Sequence, residues 1–113
     1  MSLRGLAESP DRDINTMIAN ARKAAEFLKA LSHEARLVIL CLLVEGEKSV
    51  TEIEQLLSLR QPAVSQQLAR LRADKLVETR RRGKSVYYSL ARPEVRDIIM
   101  ALHAAFCPSK LAR

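Results

Sequence analysis

With 113 residues, 48% apolar and only 4% aromatic, the chain suits one domain with its own core, too short for a second and too poor in rings to stack single-stranded bases. No apolar run approaches the roughly 18 residues of a membrane span. The formal net charge of +6 lies wholly within residues 60–84, where Arg60, Arg70, Arg72, Lys75, Arg80, Arg81, Arg82 and Lys84 oppose only Asp74 and Glu78. Charge gathered in this way suits a surface that meets phosphates.

Residues 1–11 are polar, with a glycine and a proline, and are expected to be a flexible N-terminus. The opening MSLRGLAESPDRD lacks the apolar stretch of a signal peptide, so the expected location is the cytoplasm. From there to Leu31, Ile14, Met17, Ile18, Ala21, Ala24, Ala25 and Leu28 recur every three or four residues and predict a helix. Ser32, followed by His33 and Glu34, reads as the N-cap of a second helix that runs to about Val44. The segment from Leu37 to Val44 is apolar on all sides, as a central buried helix requires, and Gly46 ends it. Ser49-Val50-Thr51-Glu52 matches a capping box and opens a short third helix to about Leu57.

After the turn from Ser58 to Gln61, Pro62 marks the start of a fourth helix, which runs to about Asp74. Leu76–Glu78 and Ser85–Leu90 read as short strands joined by a turn from Arg80 to Lys84 around Gly83. Arg92 and Pro93 start a last helix with Val95, Ile98, Ile99, Leu102 and Phe106 on one face, stopped by Pro108. The domain thus spans residues 12–107, followed by a tail over 108–113. The expected fold is mainly α, five helices plus a two-stranded β-wing, in the order of a winged helix-turn-helix.

At 100° per residue the fourth helix turns Val64, Leu68 and Leu71 inward. Ala63, Gln66, Ala69 and Arg70 face outward, with Ser65 and Gln67 on the flanks and Gln61 at the start. Small residues at 63 and 69 permit close approach to a groove floor; Gln suits adenine and Arg suits guanine. The helix N-terminus offers free N–H groups to a phosphate. Arg80, Arg81, Arg82 and Lys84 repel one another at a hairpin tip unless phosphates or a narrow minor groove relieve them. The expected partner is double-stranded DNA. The first and last helices carry more apolar surface than this core can use, so they are expected to pair with each other and with a second copy, giving a symmetric homodimer. Two recognition helices about 34 Å apart would then suit an inverted repeat.

Three segments carry a resemblance: Leu28-Lys29-Ala30-Leu31-Ser32-His33-Glu34-Ala35-Arg36, the run from Gln61 to Leu71, and the run from Arg82 to Leu90. Together they resemble the ArsR/SmtB family of bacterial repressors, over roughly residues 20–107. The family implies a dimeric winged-helix repressor that leaves its operator when an inducer binds. Its metal-sensing patterns do not match here. The third-helix segment from Ser49 to Ile53 holds no cysteine. Asp97 and His103 stand six residues apart on nearly opposite faces, and no metal is expected. Two cysteines also fall short of the three soft ligands that a thiophilic metal needs.

Taken alone, Cys41 between Leu40 and Leu42 reads as a small buried hydrophobe, and Cys107 as an idle thiol. The pair is nonetheless similar to that of the persulfide-sensing, BigR/SqrR-type branch of the family. That resemblance implies that Cys41 and Cys107 sense a persulfide or polysulfide and that the regulated genes belong to sulfide metabolism. Alternatives are an arsenical, a metal or a general oxidant as inducer, or a winged helix used for protein contacts. There is no Gly-rich phosphate loop, no CxxC and no clustered His, Asp or Ser, so neither an enzyme nor a cofactor is expected.

Overall fold

The computed structural model describes residues 13–58 and 61–106. Among these, five helices and three short strands follow in the order α1 (Ile14–Leu31), α2 (Glu34–Val44), β1 (Lys48–Ser49), α3 (Val50–Leu57), α4 (Gln61–Ala73), β2 (Val77–Arg82), β3 (Ser85–Leu90) and α5 (Pro93–Phe106). The flexible N-terminus expected over 1–11 and the tail over 108–113 lie outside the described residues. No helix among those described is long and apolar enough to cross a membrane.

The core gathers Ile39, Leu40 and Leu43 of α2, Ile53 of α3, Val64, Leu68 and Leu71 of α4, Leu76 and Val77, and Val95 and Ile99 of α5. Each large aliphatic side chain removed from water contributes about 1.5–3 kcal/mol, so this cluster is what fixes the helices against one another. α2 is not buried all round, as its composition suggests: Val38 is 42% exposed. A helix that packs on one side only leaves part of its surface outside, whatever its residues. α1 departs further. Of its eighteen residues only Ala30 and Leu31 are buried, and the stripe through Ile14, Ile18, Ala21, Ala24, Ala25 and Leu28 faces solvent. α1 meets α2 at its C-terminal end, with no comparable packing on α5 within the chain.

Ser32 does not cap α2. It closes α1, its hydroxyl donating to the Lys29 carbonyl at 2.8 Å. His33 caps α2 instead, Nδ1 accepting from the Ala35 N–H at 3.2 Å. α1 runs one residue too close for Ser32 to serve the next helix. The predicted capping box at α3 is present. Ser49 Oγ accepts from the Glu52 N–H at 3.1 Å, and Glu52 Oε1 accepts from the Ser49 N–H at 2.8 Å. α4 ends in a left-handed turn at Lys75 (φ 60°). The Leu76 N–H returns to the Leu71 carbonyl and the Lys75 N–H to that of Arg72, and the buried Leu71 and Leu76 close the motif.

The sheet is antiparallel, in the order β1-β3-β2. β1 is two residues long and has no periodicity of its own; it exists by pairing Lys48 with Tyr88 and Ser49 with Tyr87. β2 corrects the expected turn. Arg80, Arg81 and Arg82 belong to the strand, paired with Tyr87, Val86 and Ser85, which leaves Gly83 and Lys84 as a two-residue turn. Gly83 takes φ +61° there, a backbone that glycine adopts without steric cost.

Candidate nucleic-acid interface

α4 is held from behind. Val64, Leu68 and Leu71 are each fully buried, so a large rotation of the helix would empty the core. That fixes Ser65, Gln66, Ala69 and Arg70 outward, all exposed, with Ala63 and Gln67 half-buried at the flanks. Gln61 opens the helix; its side chain, like Arg60, lies outside the described residues. Arg70 is steadied by Asp74, its Nε donating to the carboxylate at 2.7 Å. No acidic residue stands in the first turn of α4, which keeps that end open to an anion.

The wing stands beside this helix. Ser65 of α4 and Lys84, Ser85 and Val86 of the wing line one cleft of about 280 Å³ with Ser49, Val50, Thr51 and Glu54. The start of α4, the wing tip and the start of α3 therefore converge on one place. Within β2 the arginines divide by strand alternation. Arg80 and Arg82 share a face with Tyr87; Arg81 lies on the other, with Val86 of the cleft.

The expected repulsion among the wing cations is relieved inside the chain. Arg80 forks onto Glu47, Nε to Oε2 at 3.1 Å and Nη2 to Oε1 at 2.7 Å. Arg82 Nη2 reaches the same Oε1 at 2.9 Å, and its guanidinium lies 4.7 Å from the Tyr87 ring centre. The Arg80 hydrogen bond, with the charges of Arg80 and Arg82, holds the Glu47 carboxyl below the usual carboxylate range against its partial desolvation. Glu47 follows Gly46, outside every predicted element, and only pairing across the sheet could have revealed it. Of the four wing cations, Arg81 and Lys84 take part in no ion pair among the described residues.

Gln67 is also engaged. Its Oε1 accepts from Arg36 Nη1 at 2.9 Å, which takes one of the two lone pairs of that oxygen and turns the amide toward α2. Arg36 ends the first of the three segments that carry the family resemblance, yet a charged residue at that point of a helix carries no local sign of burial. Of the two candidate thiols, Cys41 is half-buried on α2, packed against the core, while Cys107 lies outside the described residues. Asp97 and His103 are exposed on α5. No three His, Cys, Asp or Glu side chains are placed to hold a metal ion among the described residues.

Residues 33–79 match the family model described as "Bacterial regulatory protein, arsR family". The chain is 45% identical over 91 residues to the biofilm growth-associated repressor of Xylella fastidiosa, an alignment covering 80% of each. Two solved structures are similar over most of the chain. Reduced HlyU from Vibrio cholerae superposes with a TM-score of 0.77 at 46% identity, over 80% of this chain and 96% of that one. The transcriptional repressor BigR from Xylella fastidiosa gives 0.75 at 43% identity, over 85% and 95%.

Proposed function

This chain belongs to the ArsR family of bacterial regulatory proteins, and from that premise we propose that it is a homodimeric repressor, released from duplex DNA when Cys41 and Cys107 react with a persulfide or polysulfide. One observation carries the DNA reading: a helix locked by Val64, Leu68 and Leu71 presents Ser65, Gln66 and Arg70 next to a cleft that Ser65 shares with Lys84 of the wing. Base edges meet the helix and phosphates meet the wing. An inverted repeat is the matching operator, because a two-fold dimer presents the helix twice. The dimer reading is supported by apolar surface without a use inside the chain: Ile14 is 63% exposed, Leu28 60% and Phe106 78%.

The thiol chemistry balances without an outside oxidant. A thiolate attacks the outer sulfur of R–S–SH, the S–S bond breaks, R–SH leaves, and the cysteine keeps the extra sulfur. With both cysteines loaded, the terminal sulfur of one attacks the cysteine-bound sulfur of the other. Hydrosulfide departs and a three-sulfur bridge closes. Cys41 supports this role by being half-buried rather than sealed. Because the inducer is a sulfur donor, genes of sulfide metabolism are the expected targets.

Duplex release is to be titrated with an alkyl persulfide, peroxide and arsenite in parallel. Persulfide alone should release wild type, and Cys41→Ser and Cys107→Ser should bind DNA but stay bound. Mass spectrometry should then find one sulfur more than a disulfide. Release by arsenite or peroxide would assign the chain a different inducer, and release of either serine variant by persulfide would remove that cysteine from the mechanism. A failure to retard any inverted-repeat duplex would favour a protein-contact role for the winged helix.

A further inference from the structure

Arg36 places a charge where charge is costly. It stands in the first turn of α2 and is only 9% exposed. Its Nε donates to the Ala30 carbonyl at 2.6 Å and its Nη1 to Gln67 Oε1 at 2.9 Å. Both acceptors are neutral, and no ion pair forms on Arg36 among the described residues. A guanidinium keeps its proton in any protein setting, and burial without a counter-ion is expensive. What compensates can be read from the partners.

Ala30 lies in the last turn of α1, where carbonyls have no partner within their own helix. A cation there satisfies the orphan oxygen and suits the negative end of the helix dipole. Gln67 lies in the second turn of α4, at the edge of the face that carries Gln66 and Arg70. One guanidinium thus spans the end of α1, the start of α2 and the recognition helix. Its fork is rigid and planar, so it fixes direction as well as distance. Buried Val64 and Leu68 hold α4 only through non-directional packing; the Arg36–Gln67 bond adds a directional stop.

We propose that Arg36 is a positioning residue for DNA recognition: through Gln67 it sets the rotation and depth of α4, so that Ser65, Gln66 and Arg70 reach base edges together. The proposal rests on the reading of α4 as the DNA-contacting helix. Gln67 is then a joint between helices, not a reader of bases. A carboxylate at 67 would hold Arg36 as well, but it would face the phosphates; a neutral amide keeps the cation under the binding surface.

The test uses the full chain and a duplex enriched by wild type from a randomised inverted-repeat pool, with a scrambled duplex of equal composition. Gln67→Met removes the acceptor and should lower the selected-to-scrambled affinity ratio about tenfold, the worth of one hydrogen bond to a charged group. Base preference should weaken at several positions of the half-site at once, with an unchanged salt slope. Gln67→Glu should keep the ratio within about threefold while weakening both duplexes alike. Arg36→Lys, which retains charge but loses the fork, should reproduce the Gln67→Met pattern. Loss of preference at a single base pair in Gln67→Met would make Gln67 a direct reader and overturn the proposal. So would an unchanged ratio in either Gln67→Met or Arg36→Lys. If wild type enriches no sequence at all, the DNA reading of α4 fails first, and a separate melting curve shows each variant folded.

Discussion

Glu47 accepts hydrogen bonds from two guanidinium groups of one strand, and its titration follows from that. Its folded pKa is lowered, chiefly by the Arg80 hydrogen bond, so the tie between the loop and β2 stabilises the fold above the ordinary glutamate value of about 4.5. It is lost as the pH falls through the lowered value. Glu47 is half-buried but its arginine partners are exposed, so the tie organises the wing more than it stabilises the whole. Carbon-detected NMR of the Glu47 carboxyl should give a midpoint below the ordinary value, and Arg80→Gln should raise it; a midpoint indifferent to that substitution would assign the shift elsewhere. Single residues were the least legible level of the sequence. Arg80 and Arg36 look alike as letters, yet one is shared with a glutamate 33 positions away and the other is buried by a contact 31 positions away. No local pattern encodes such distances.

Elements were far more legible, because their signals are local. The capping box at Ser49 is a spacing of three, and the inward face of α4 is a periodicity of 3.6. Each needs only its own neighbours. β1 failed that condition, being two residues defined by β3, and Ser32 failed it because the end of α1 competed for the same serine. Ser49→Ala removes the acceptor at the start of α3 and should cost about 1 kcal/mol, seen as a fall of roughly 4–8 °C in melting temperature. The cleft side of α3 would loosen with it. A melting temperature unchanged within error would mean that Glu52 alone holds the cap.

At the scale of the whole molecule, charge and apolar surface make separate statements. If each protomer of a dimer neutralises about four phosphates, log K should fall with log[salt] at a slope near −7. Replacing both Ile14 and Ile18 with Glu alters side chains that are 63% and 48% exposed, so the chain's own core is spared. Sedimentation should then find a monomer whose salt slope is about half as steep. A double variant that still sediments as a dimer would move the interface away from α1, and a wild-type slope shallower than about −2 would contradict the electrostatic reading. The surplus of apolar residues at both chain ends was readable from sequence because a core of this size has a limited interior. Which stripe stays outside was not, since Phe27, Ala30 and Leu31 on α1 look no different from Ile14 and Ile18 until the turn after Leu31 is placed.

Ser49 is at once the last residue of β1, paired in register with Tyr87, and the cap of α3. The wing and the first half of the helix-turn-helix are therefore clasped at a single amino acid with no slack between them. Any inducer that tilts one must carry the other along. Release from DNA should accordingly be a swing of the entire reading head, with the pivot among the long helices and no flapping of the hairpin on its own.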